Sequence, residues 1–98
     1  PFRGDDDADW LVLTYPDERR ALAFQFDDHH VPPTWPKPGV PQQLHLDMTV
    51  PDHTALESTK ERALGLGARL LQDRSTDAEE PHYVLADPAG HPFCIFVG

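Results

Sequence analysis

The clearest periodicity in the chain lies in residues 44–50, where Leu44, Leu46, Met48 and Val50 alternate with His45, Asp47 and Thr49. A period of two places the apolar set on one face of a strand and the polar set on the other. Asp52 follows as a helix N-cap, a residue whose carboxylate can accept from the free amides of the first turn. Leu56, Thr59, Ala63 and Leu66 then fall on one helical stripe, with Glu57, Lys60 and Glu61 on the solvated side, and this predicts a helix over residues 53–66. Gly67 suits the left-handed position just past a helix end. A short strand over 68–72 and an acidic loop over 73–81 come next. Two strands, 82–86 and 92–97, flank Asp87-Pro88-Ala89-Gly90. Asp in the first position, Pro in the second and Gly in the fourth predict a type I turn. Residues 44–98 therefore read β-α-β-β-β.

The first part of the chain is less regular. Residues 10–15 and 20–26 are rich in strand formers, and Pro16-Asp17-Glu18-Arg19 between them is turn chemistry, so the pair predicts a hairpin. Residues 1–9 read as loop or a frayed terminus. Residues 31–43 contain five prolines, at 32, 33, 36, 38 and 41. Proline neither donates to a sheet nor continues a helix, which predicts a stiff, extended connector with polyproline character. Trp35 in its middle is expected to anchor on the body of the protein. The expectation is one α+β domain over residues 1–98: a strand pair in 1–30, a connector in 31–43 and a complete unit in 44–98.

Composition narrows the function classes. The formal net charge is −9, from 8 Lys and Arg against 17 Asp and Glu. Phosphate binding needs clustered basic residues, so nucleic acid is disfavoured as a partner, and so are anionic membrane surfaces. No run approaches the roughly 18 apolar residues of a membrane span. Cys94 is the only cysteine, so an intrachain disulfide is excluded and a reducing, cytoplasmic setting is expected. Hydrophobic residues make up 39% of the chain, a thin core that points to metal binding or a partner chain as a further source of stability.

His45-Leu46-Asp47, the helix end Ala63-Leu64-Gly65-Leu66-Gly67-Ala68, and Val84-Leu85-Ala86-Asp87-Pro88-Ala89-Gly90-His91-Pro92-Phe93-Cys94 together resemble the glyoxalase-like domains of the vicinal-oxygen-chelate superfamily. That superfamily includes the bleomycin-resistance proteins and extradiol dioxygenases. Ala21-Leu22-Ala23-Phe24-Gln25 is similar to the end of a first module in such proteins. The resemblance implies two βαβββ modules whose sheets curl around a shared cavity. This chain would hold the second module and the last two strands of the first. The opening strand and helix of the first module would lie upstream of Pro1 or come from a partner chain.

The resemblance also implies candidate site residues. A His on a module's first strand and a Glu on its last typically hold a divalent metal; here these positions fall on His45 and Cys94, with Gln25 at the first module's equivalent place. His45 has two readings, as a ligand for Zn, Ni, Fe or Mn, or as a polar cavity residue paired with Asp47. Cys94 reads as a small buried hydrophobe or as a soft ligand. Trp10 and Phe96 share the expected cavity wall, with Ala21, Ala23, Val12 and Thr49 beside them. The cluster Asp27-Asp28-His29-His30 reads as a surface loop, and His53 as an exposed helix-start residue. Gln25 and Cys94 in place of Glu favour a metal-free small-molecule binder, expected to be a homodimer. The alternative is a metal-dependent lyase, isomerase or dioxygenase using His45. A third reading is a structural remnant.

Overall fold

Antiparallel pairing organises the first unit, Pro1–His30. The computed structural model describes residues 2–4 as backbone and residues 10–98 in full. The expected hairpin is present as β2 (Trp10–Thr14) and β3 (Arg20–Gln25). Glu18 takes a φ of 71° in the connecting turn, where Tyr15 and Arg19 close the hairpin by a 2.8 Å backbone hydrogen bond. The expectation of loop at the N-terminus is corrected for residues 2–4. They form β1 (Phe2–Gly4), antiparallel to β2, with Phe2 opposite Leu13. An unpaired β2 edge would leave backbone donors and acceptors exposed, and three residues suffice to cover it. The Asp5-Asp6-Asp7 run lies outside the described residues. Val12 is buried in this unit, whereas every residue of β3 is exposed.

The second unit, Val31–Gly98, contains the expected β-α-β-β-β order. Its elements are β4 (Leu46–Val50), α1 (His53–Gly65), β5 (Arg69–Arg74), β6 (His82–Ala86) and β7 (Pro92–Val97). The sheet order is β4-β7-β6-β5, with β4 parallel to β7 and the remaining pairs antiparallel. Asp52 caps α1 through a 2.8 Å bond from the Ala55 amide to its carboxylate. At the other end Ala68 N–H bonds to Ala63 C=O and Gly67 N–H to Leu64 C=O, with Gly67 at φ 109°. That reciprocal pair is the Schellman arrangement, and it requires the left-handed residue that glycine supplies.

The helix covers one face of the sheet. Leu56, Tyr83, Leu85 and Ile95 form the core, flanked by Val50, Ala63, Leu64, Phe93 and Val97. Leu66 is corrected out of the expected stripe: it occupies the C-cap and is 72% exposed, and Leu64 packs in its place. The helix face read as solvated is also partly engaged. Tyr83 Oη donates to Glu57 at 2.5 Å, and Lys60 Nζ lies 4.9 Å from the Tyr83 ring centroid. A buried phenol needs a partner for its hydroxyl, and Glu57 provides it. The Tyr83 bond holds the Glu57 carboxyl below its ordinary pKa.

The proline-rich segment is not extended, which corrects the polyproline expectation. Thr34 gathers it into a compact loop: its hydroxyl accepts from the Val40 amide at 2.8 Å and its own amide donates to Val40 C=O at 2.8 Å. Gln43 Nε2 donates to Val31 C=O at 3.1 Å and closes the base. These local bonds outweigh the extended preference of isolated prolines, and the Trp35–Pro36 peptide is cis. Gly39, at φ 129°, makes the turn within the loop. Among the described residues no helix is long and apolar enough to cross a membrane.

Candidate functional site

The loop of residues 31–43 packs over one end of the second sheet. Pro32 and Pro33 lie against Gly90 in the β6–β7 turn, and Trp35 meets His45 edge-on with ring centroids 5.9 Å apart. The turn itself is built as the sequence predicts. Asp87 Oδ1 accepts from the Ala89 and His91 amides, and the Gly90 amide returns to Asp87 C=O at 2.8 Å. Gly90 has a φ of 93°, and a Cβ there would stand 2.9 Å from Pro32 Cβ. A glycine is thus required twice, for the backbone angle and for the approach of the loop.

Pairing register decides which side chains share the face opposite the helix. Asp47 is opposite Cys94, Thr49 opposite Phe96, Cys94 opposite Val84 and Phe96 opposite His82. Paired residues project to the same side, so the polar row of β4 and the Cys94 row of β7 line one surface. His45 stands one residue before β4 begins. Its Nε2 lies 3.1 Å from Asp47 Oδ1 and 3.2 Å from Cys94 Sγ, and its Nδ1 lies 3.0 Å from Gln42 Oε1. The amide oxygen only accepts, so Nδ1 carries the proton that it shares with Gln42. The Cys94 S–H has two acceptors within reach, Nε2 of the neutral ring and the Asp47 carboxylate, and a protonated ring donates from Nε2 to Asp47.

Cys94 is 5% exposed. Burial first, and the Asp47 carboxylate second, push its thiol pKa up to about 11. The sulfur is a neutral thiol at physiological pH and is not an activated nucleophile. As a donor set the group is one imidazole, one carboxylate and one sulfur, whose ligand atoms lie within 4.8 Å of one another. Three protein ligands of these types match a catalytic zinc site, and binding would displace the thiol proton. His45, Asp47 and Cys94 therefore fit a divalent ion.

Of the expected site residues, these three come together, and Phe96 joins their face, where it stacks on His82 at 4.6 Å. Trp10 and Gln25 belong to the first unit, where they are a cross-strand pair, as are Val12 and Ala23. The Asp27-Asp28-His29 cluster is exposed, with Asp27 accepting from the His29 amide and Asp28 lying 2.8 Å from His29 Nδ1. His53 is exposed as expected. Gln42 is not among the residues that the sequence singles out; its signal is its place three residues before His45, which becomes meaningful only once the loop turns back on the strand. A family model described as a glyoxalase-like domain matches residues 2–96. No curated protein matches the chain.

Proposed function

Because the chain belongs to the glyoxalase-like domain family of the vicinal-oxygen-chelate superfamily, we propose that it binds a small organic molecule against the sheet face that carries Asp47, Cys94 and Phe96. The observation that supports this most directly is the cluster of His45, Asp47 and Cys94, a few convergent polar groups beside buried Val84 and Ala86. Small-molecule sites take that form, with apolar walls supplying affinity and a few polar groups fixing orientation. His45 offers the ligand an acceptor or a donor according to its protonation, Asp47 offers an acceptor, and the neutral thiol offers contact area. Thermal-shift screening of untagged protein against neutral and cationic aromatic compounds tests the reading. A ligand that raises the melting temperature of the wild type and not of His45→Ala supports it. A screen in which no compound shifts the wild type, or in which every shift survives His45→Ala, refutes it.

The donor set favours a second reading, a metal-dependent lyase, isomerase or dioxygenase. A divalent ion held by His45, Asp47 and Cys94 would polarise adjacent oxygens of a substrate. Elemental analysis of protein purified without an affinity tag separates the two. Stoichiometric zinc, nickel, iron or manganese that is lost in both His45→Ala and Cys94→Ala supports the enzyme; metal-free protein that binds the organic ligand supports the binder.

We also infer that the two units act as one domain, that the chain works as a homodimer and that it resides in the cytoplasm. Strand β4 pairs on one side only among the described residues, and Leu44 just before it and Leu46 and Met48 along it are half-exposed. An apolar edge of this kind calls for a cover. Sedimentation equilibrium giving a monomer at all concentrations would refute the dimer.

A further inference from the structure

A second concavity lies on the same unit and meets the His45 cluster at Trp35, whose ring contacts His45. Residues 33–37 of the loop and residues 69–71 of β5 line a cavity of about 400 Å³. That volume falls within the ~300–1,000 Å³ of small-molecule sites. Its apolar wall is Trp35, Pro33, Pro36 and Leu71. Its charged groups are Lys37 and Arg69, one from each side.

Three features set this cavity apart from ordinary surface. First, its loop wall is fixed in place, because Thr34 is bonded at both amide and hydroxyl and the Lys37 amide donates to Thr34 C=O at 2.9 Å. Second, the pairing of β5 with β6 slips between Leu70 and Gln72, so that Leu71 is the bulged residue. Bulges re-aim side chains and recur beside functional sites. Third, the local charge opposes the global one. The protein carries a net −9. Among the other described cations, Arg19 is paired with Asp17 and Lys60 with Glu57 and Glu61, while Arg20, Arg62 and Arg74 also lie outside ion-pair distance of any described carboxylate. Among the described residues no carboxylate is within ion-pair distance of Lys37 or Arg69. Two uncompensated cations on one cavity of an acidic protein are a recognition feature for an anion.

We propose that this cavity binds a small aromatic carboxylate, with the carboxylate between Lys37 and Arg69 and the ring against Trp35 and the flanking prolines. Arg69 offers the forked donor geometry that matches a carboxylate, and Lys37 a movable point charge. The net charge of the chain favours neutral or cationic ligands in general, and this cavity inverts that preference locally. Neither cation takes part in the His45 cluster, and Trp35 is the residue that the two have in common.

The test is a titration of 15N-labelled protein with benzoate and, separately, with its neutral isostere benzamide and with inorganic phosphate. Benzoate is expected to shift the Thr34 and Trp35 amides, the Trp35 indole and residues 69–71 in a saturable manner. Benzamide and phosphate should each bind about tenfold more weakly or worse, the first for want of charge and the second for want of a ring. Lys37→Gln and Arg69→Gln alter exposed side chains, and a dispersed spectrum confirms that each folds. Each should weaken benzoate about tenfold, leave benzamide unchanged, and flatten the salt dependence. Equal binding of benzoate and benzamide, phosphate binding as tight as benzoate, shifts mapping elsewhere, or benzoate affinity unaffected by both variants would each overturn the assignment.

Discussion

Gly90→Ala is the sharpest perturbation that the fold suggests, because one methyl group meets two separate obstacles. The backbone φ of 93° is the first. An L side chain in that region costs about 1–2 kcal/mol. The second is space: the new Cβ would stand 2.9 Å from Pro32 Cβ and 3.2 Å from Pro33 Cδ. Neither is the far end of a flexible chain, so the loop must move, and forcing extra volume into a packed contact costs about 1–3 kcal/mol. The sum is about 2–5 kcal/mol, a large part of the ~5–15 kcal/mol that stabilises a domain of this size. Gly67→Ala serves as the internal control. It meets the same kind of backbone penalty at φ 109°, but its Cβ would find only Pro88 Cγ at an ordinary 3.5 Å. Its expected loss is about 1–2 kcal/mol. Urea melts followed by circular dichroism give both values. Adding Pro32→Gly removes the facing Cβ and should recover at least about 1 kcal/mol in Gly90→Ala beyond its effect alone. Equal losses in the two glycine variants, with no coupling to Pro32, would show that the loop does not rest on the turn as described.

Three further outcomes follow. Leu56→Ala removes the helix side chain at the centre of the core, 0% exposed, and should cost about 2–5 kcal/mol by denaturant melting. The Cys94 thiol titrates at about 11 in the folded protein, above its ordinary value of 9.0. The unfolded chain therefore loses this proton first, and stability should fall as pH rises from 9 towards 11; Cys94→Ser should lack that component, and a Cys94→Ser profile identical to wild type refutes the assignment. Glu57 titrates below 4.5 because Tyr83 donates to it, so its contribution is present above that pH and is lost as pH falls through the lower folded value. Tyr83→Phe should flatten the acid limb of the stability profile.

What the sequence disclosed, and what it withheld, follows from the range of each interaction. The capped helix and the Asp87–Gly90 turn are set by neighbours within four residues and appear where the pattern places them, and β4 keeps its alternation but begins at Leu46 rather than Leu44. The polar row His45, Asp47 and Thr49 was visible as alternation, and the resemblance to the family pointed to Cys94 as its counterpart. Proline content predicts an extended segment over 31–43 because it describes a chain without partners. The Thr34 hydroxyl, six residues from Val40, decides its shape, and no periodicity marks such a bond. Glu57 and Lys60 look solvated on a helical wheel and are drawn in by Tyr83, which lies 26 residues from Glu57. Lys37 and Arg69 gave no signal at all, since they are joined only by the fold.

The parallel pairing of β4 with β7 has a consequence for the order of assembly. Asp47 and Cys94 are register partners across almost the whole second unit, and α1, β5 and β6 all lie in the intervening chain. Closing so long a loop is entropically unfavourable until the intervening helix and hairpin are formed. The cluster of His45, Asp47 and Cys94 therefore comes into being with the last strand and is absent from any intermediate that lacks it. Occupancy by a ligand would report on, and lock, the completed topology. Amide exchange along β7 should slow in proportion to that occupancy, whereas the β6–β5 hairpin, closed by nearer contacts, would respond less.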